Sequence, residues 1–124
     1  MRCLIVDDSA NFRDAASAML ERGGISVVGK ATNSAEALRC YEDLRPDVAL
    51  VDVDLGGEDG FELAEQLARA GTAGRLAVIL VSTYAESDLT EMIEASPAVG
   101  FLQKFSLSPD AIRELVKVTK PRGR

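Results

Sequence analysis

Residues 46–52 read Pro46-Asp47-Val48-Ala49-Leu50-Val51-Asp52, a chain breaker and a polar residue followed by an apolar run that ends in a carboxylate. Proline cannot continue a helix, and so short an apolar run, rich in valine, predicts a strand over Val48–Asp52. No polar residue interrupts the run, so both faces of the strand are expected to be covered, as in a parallel sheet packed between helices. Working outward, similar runs recur at Cys3–Val6, Val27–Ala31, Ala77–Ser82 and Gly100–Gln103. The segments between them carry helical spacing. Phe12, Ala15, Ala16, Met19 and Leu20 form one stripe that stops near Gly23-Gly24, and a second helix starts near Ser34 with Ala37, Leu38 and Tyr41 inward. A third spans Gly60 to Ala70, with Phe61, Leu63, Ala64 and Leu67 as its apolar positions and Gly71 and Gly74 ending it. A fourth runs from about Ser87 to Ala95 with Leu89, Met92 and Ile93 inward. A fifth runs from Ser108 or Pro109 to about Thr119, the serine and proline being a strong start signal. Strands alternating with helices in this way predict an α/β fold, (βα)5, most simply a doubly wound five-stranded parallel sheet.

The 124 residues, 47% hydrophobic and 27% charged, suit one domain with a single core and argue against disorder or low complexity. Residues 1–119 are expected to form that domain, and 120–124, Lys120-Pro121-Arg122-Gly123-Arg124, a basic solvated tail. The net charge is -6, which disfavours direct contact with nucleic acid or an anionic membrane. It is unevenly spread: residues 1–110 carry 9 basic and 19 acidic side chains, residues 111–124 carry 5 and 1. The apolar runs are too short to span a bilayer and no secretory leader is visible, which predicts a cytoplasmic protein. Cys3 and Cys40 lack metal-ligand spacing and are expected to be buried reduced thiols. The chain has no histidine, so hydrolase mechanisms that use histidine as general base are excluded.

In a sheet of this kind the ligand crevice lies at the carboxyl ends of the strands. The predicted strands end there in Asp7-Asp8, Asp52 and Ser82-Thr83, and Lys104 follows the last one. Crowded carboxylates repel, and a divalent cation offsets that repulsion. Oxygen ligands without histidine or useful thiolate point to a hard ion, Mg²⁺ before Ca²⁺. Such sites usually hold a phosphate group as well, and Lys104 would meet a phosphoryl oxygen. Neither GxxxxGK[ST] nor a strand followed by GxGxxG occurs, so nucleotide binding is unsupported. Phosphoryl transfer to a carboxylate is the chemistry these residue types allow, and Asp52 is the candidate nucleophile. It would lie in mid-sheet if the strand order is 2-1-3-4-5. Plainer readings exist for each residue alone: capping for Asp7 and Asp8, backbone satisfaction for Ser82 and Thr83, core packing for Phe101, solvation for Lys104.

Taken together, the residues resemble the receiver domain of two-component response regulators, over nearly the whole chain. The acidic pair matches Val6-Asp7-Asp8-Ser9, the acceptor motif matches 46–52, and a downstream Asp-Gly matches Asp59-Gly60. The switch hydroxyl matches Ser82 and the lysine matches Lys104, after the aromatic Phe101. The resemblance implies the flavodoxin-like order 2-1-3-4-5 and a stand-alone, chemotaxis-regulator-like module that catalyses only its own phosphorylation and dephosphorylation. It further implies Mg²⁺ held by Asp8 and Asp52, with Asp7 nearby and Asp54 contributing its main-chain carbonyl. Asp52, Ser82 and Lys104 would carry the chemistry, Ser82 and Phe101 the switch, and Asp54 and Tyr84 the lifetime of the phosphorylated state. The implied partners are a sensor histidine kinase or phosphotransfer protein, and a downstream protein on the face of helix 4, strand 5 and helix 5. A homodimer is compatible with this reading.

Three positions depart from the family's habit. Gly56, followed by Gly57, stands where many relatives have proline, Thr83 replaces a small residue after the switch hydroxyl, and Phe105 follows the lysine where proline is common. These departures keep a phosphorylation-independent adaptor in view. A phosphatase resembling the haloacid-dehalogenase superfamily shares Asp52-Val53-Asp54, but 124 residues leave no room for a substrate-selecting cap.

Overall fold

The computed structural model describes residues 1–70 and 76–119. Its main elements are β1 (Arg2–Val6), α1 (Ala10–Arg22), β2 (Ser26–Ala31), α2 (Ser34–Leu44), β3 (Val48–Asp52), α3 (Gly60–Ala70), β4 (Ala77–Ser82), α4 (Thr90–Ala95), β5 (Gly100–Gln103) and α5 (Pro109–Thr119). The five strands form one sheet in the order β2-β1-β3-β4-β5, and every neighbouring pair is parallel. This is the flavodoxin-like arrangement, with β3 in the middle.

Side chains alternate across the sheet, as strand geometry requires. Leu4, Val6, Ala49, Val51, Leu80 and Phe101 pack with Ala37 and Tyr41 of α2 and Leu63, Ala64 and Leu67 of α3. Cys3, Ile5, Leu50, Ile79 and Val81 pack on the other face with Ala16 and Leu20 of α1 and Ile112 of α5. β3 is buried along its whole length, as its uninterrupted apolar run predicts. The edge strand β2 is only partly covered, with Ser26 and Lys30 exposed.

Helix starts follow local chemistry. Ser9 Oγ accepts from Phe12 N at 3.2 Å, Asn33 Oδ1 from Glu36 N at 2.9 Å, and Ser108 Oγ from Ala111 N at 3.0 Å. Glu36 reaches back to accept from Thr32 N and Oγ1, a variant of the capping box that holds its carboxyl below the usual range. Capping of α1 thus falls to Ser9 and not to Asp7 or Asp8.

Several expectations need correcting. Ala15 is exposed: it flanks the buried α1 stripe of Ala16 and Leu20 instead of lying on it. The fourth helical segment is broken into a 3₁₀ turn, Glu86–Asp88, and the short α4, because Leu89 between them is not helical. Leu89 and Ile93 pack inward, whereas Met92 lies off that line and is 49% exposed. Cys40 is a free thiol but only half-buried. Gly71, Gly74 and the tail 120–124 lie outside the described residues.

The loop after β3 contains a feature of its own. Asp54–Leu55 and Glu58–Asp59 pair antiparallel as a hairpin closed by Gly56-Gly57. Both turn residues have positive φ, 62° and 102°, the backbone that a two-residue hairpin favours and that glycine adopts without penalty. Leu55 points into the core, so the hairpin is pinned beside the carboxyl end of β3.

Candidate functional site

Parallel pairing in near-common register brings the carboxyl ends of β1, β3 and β4 to one edge, with Val6 beside Val51 and Asp52 beside Val81. The residues that follow or end these strands therefore converge. Asp8, Asp52, Asp54, Gly56, Ser82, Thr83, Tyr84 and Lys104 line one pocket of about 210 Å³. The Asp7, Asp8 and Asp52 carboxylates each offer an oxygen within 4.8 Å of the others. Asp7 and Asp52 are buried and Asp8 is exposed.

Two of these carboxylates are held by the same device. Asp7 Oδ1 accepts from Ser9 N at 2.8 Å, and its Oδ2 lies 2.7 Å from Lys104 Nζ. Asp52 Oδ1 accepts from Asp54 N at 3.1 Å, and its Oδ2 lies 3.0 Å from the same ammonium. Lys104 therefore bridges two buried acids that would otherwise repel each other. Burial pushes the Asp52 carboxyl up to about 6, against the opposing pull of the Asp54 N–H and Lys104. Burial alone would lower the Lys104 ammonium, but its bonds to Asp7 and Asp52 outweigh that and hold it above the ordinary value.

Two residues of the site escaped sequence reading. The Phe12 ring, expected only in the α1 stripe, lies with its centroid 4.5 Å from Lys104 Nζ, a cation–π contact. Arg13 Nη1 donates to the Asp7 carbonyl at 2.6 Å and fixes the main chain there. The helical stripe placed Phe12 near the sheet, but only the three-dimensional path of Lys104 shows what it touches.

Ser82 is buried, and its Oγ accepts from Tyr84 N at 2.9 Å, the plain backbone role weighed for it above. Accepting that bond leaves its own O–H available to donate into the pocket. Tyr84 is 58% exposed, and Asp54 and Thr83 are exposed as well. The Asp54 carboxylate is not one of the three that cluster. Phe101 is buried in the core on β5, paired with Leu80 two residues before Ser82. Phe105 is 79% exposed, and the peptide bond between it and Lys104 is trans.

The donor set fits a small hard cation: three carboxylate oxygens at one spot, no nitrogen or sulfur among them, and more negative charge than Lys104 alone neutralises. It also fits a tetrahedral oxyanion beside Asp52, because an ammonium and a free hydroxyl proton face the same pocket.

A family model described as the response regulator receiver domain matches residues 3–117. Among curated proteins, the transcriptional regulatory protein LiaR of Bacillus subtilis is 33% identical over 121 residues, covering 94% of this chain and 56% of that protein. A protein-glutamate methylesterase/protein-glutamine glutaminase of Halobacterium salinarum is 37% identical over 92 residues, 74% of this chain and 26% of its own length. The chain thus spans only part of the curated relatives it matches. Among solved structures, the signal receiver domain of a response regulator from Mycobacterium tuberculosis superposes with a TM-score of 0.82 at 30% identity, covering 94% of this chain and 95% of that one. The response regulator domain of Thermotoga maritima CheB gives 0.78 at 25% identity, covering 94% of each.

Proposed function

The chain belongs to the response regulator receiver family, and from that premise we propose that it takes a phosphoryl group onto Asp52 from a histidine kinase or phosphotransfer protein and signals by phosphorylation-dependent binding or phosphorelay. The observation that carries this reading is the convergence of Asp8, Asp52, Ser82 and Lys104 on one pocket, with Asp7 buried behind it against the same lysine. In the reaction, an Asp52 carboxylate oxygen forms a bond to phosphorus as the donor's nitrogen–phosphorus bond breaks, and the histidine leaves with the electron pair. The Asp52 oxygens are presented at the strand end with one hydrogen bond from Asp54 N and one ion pair to Lys104, so the nucleophile is oriented before the donor arrives. Lys104 then donates to the phosphoryl oxygens in place of the carboxylate, and the Ser82 hydroxyl donates to another. Asp8 and Asp52 would hold Mg²⁺, with Asp7 beside them and the Asp54 carbonyl completing the protein ligands. Bound there, the ion would supply positive charge to the oxygens of the transferring group.

Movement of Ser82 toward a phosphoryl oxygen draws on the loop that also carries Thr83 and Tyr84, and Phe101 repacks behind it. Asp54 and Tyr84 flank the pocket mouth and set how fast water reaches the acyl phosphate. The downstream partner is assigned to the face of α4, β5 and α5, where exposed apolar side chains, Met92 on α4 and Phe105 just after β5, support the reading. No helix among the described residues is long and apolar enough to cross a membrane, and a cytoplasmic setting suits a histidine-kinase partner.

Incubation with Mg²⁺ and acetyl phosphate, followed by intact-mass measurement, tests the proposal. A single adduct that disappears in Asp52→Ala is the expected result. No adduct would turn the reading to a phosphorylation-independent adaptor, and sustained turnover of many phosphate esters would turn it to a phosphatase.

A further inference from the structure

Of the three clustered carboxylates, Asp7 and Asp52 are each tied down by a main-chain N–H and by Lys104. Asp8 is exposed, and among the described residues no hydrogen bond or ion pair restrains its carboxylate. What stands against it is the hairpin turn: a Cβ placed on Gly56 would lie 2.8 Å from Asp8 Oδ2. The Gly56 backbone, lacking that Cβ, passes just far enough away to leave room for the carboxylate, and so stands as a wall beside it.

That wall is only as firm as the hairpin behind it. A ladder of two residues per strand is not stable by itself. Leu55 anchors its first strand in the core, but both residues of the second strand, Glu58 and Asp59, are exposed. Glu58 Oε1 accepts from Ser34 N at 2.8 Å, across 24 residues of sequence. Ser34 is the first residue of α2, so its N–H has no acceptor inside the helix, and a carboxylate there is also favoured by the helix dipole. The start of α2 is itself rigid, locked by Asn33, Glu36 and Thr32.

We propose that Glu58 is a positioning residue for the metal-binding carboxylate of Asp8, acting through the 54–59 hairpin that its bond to Ser34 fastens to the start of α2. The proposal rests on the reading of Asp8 as a Mg²⁺ ligand. Glu58→Gln keeps an oxygen that accepts the Ser34 N–H but loses the charge, and Glu58→Ala loses both. Two measurements on the parent and both variants decide it: amide hydrogen exchange at Ser34 and Leu55 without metal, and calorimetric titration with Mg²⁺ without any phosphodonor. Glu58→Ala is expected to exchange these amides and to release Mg²⁺ more readily, each by roughly threefold to tenfold, the size of one lost hydrogen bond. Glu58→Gln is expected to fall close to the parent and clearly apart from Glu58→Ala, because it keeps the bond to Ser34 and loses only the attraction of the helix dipole. Equal weakening of Mg²⁺ binding in both variants would show that Glu58 acts through charge alone and would overturn the proposal, as would unchanged binding in Glu58→Ala. A parent that fails to bind Mg²⁺ would instead overturn the metal reading on which it rests.

Discussion

Each end of β3 carries an aspartate, five residues apart, and the two live under different physics. Asp47 at the amino end is exposed, and its Oδ2 accepts the Arg2 N–H at 2.8 Å, an ordinary tie between neighbouring strands. Asp52 at the carboxyl end is buried beside Asp7 and shares its lysine. The ionisable groups nearest each end differ too. Cys3, level with Val48, is a neutral thiol that burial keeps neutral to higher pH by pushing it up to about 12, whereas Asp7 is accommodated by a lysine and a backbone donor. One end of the sheet meets burial by neutrality and the other by pairing. Only the second leaves charge in place for a cation or a phosphoryl group to exploit.

The comparison breaks most sharply at the acceptor itself. Asp52→Ala is expected to lose the acetyl-phosphate adduct entirely while Asp47→Ala keeps it, as read by intact mass. Next in size is the bridging lysine: Lys104→Met leaves Asp7 and Asp52 facing each other without their shared cation, each keeping only its main-chain donor. Its stability in urea is expected to fall by about 3 kcal/mol without metal, with part of that recovered on adding Mg²⁺. At the neutral end, the folded Cys3 thiol sits above its unfolded value of 9.0, so its contribution is complete below pH 9 and is lost as pH rises toward 12. By pH 10.5 the parent should have lost about 2 kcal/mol relative to its own value at pH 8, a loss absent from Cys3→Ala, and paired denaturation curves measure the difference. Phe12→Leu keeps an apolar side chain but removes the ring face from Lys104. It is expected to slow phosphorylation by roughly threefold, with Phe12→Tyr restoring the parent rate. Smallest is Asp47→Ala, expected to cost about 0.5 kcal/mol in chemical denaturation through the lost exposed bond to Arg2.

How far the sequence reached follows from the range of the forces involved. The five strands were legible because the apolar runs are short and bounded, and because β3 is buried on both faces as its composition requires. The site was legible because parallel strands must place Asp7, Asp8, Asp52 and Ser82 at one edge. What escaped was set by small local balances or by long-range packing. Ala15 and Met92 satisfy a helical spacing but flank the buried stripe, where one residue's shift decides exposure. Leu89 interrupts the fourth helix through a single non-helical backbone setting. Gly56-Gly57 announced a turn, yet two strands of two residues each are too short to show a period, so the hairpin around it was invisible. The Phe12 ring beside Lys104 joins residues from the first and last helical connections, and no spacing rule links them.

The lysine bridge also orders events in time. Asp7 follows the first strand and Lys104 follows the last, so a growing polypeptide can lay down both acids long before their neutralising partner leaves the ribosome. Until β5 docks, the two acids have no cation beside them, and burying them unneutralised would cost several kcal/mol each. Closure of this edge of the sheet is therefore tied to the arrival of the last strand.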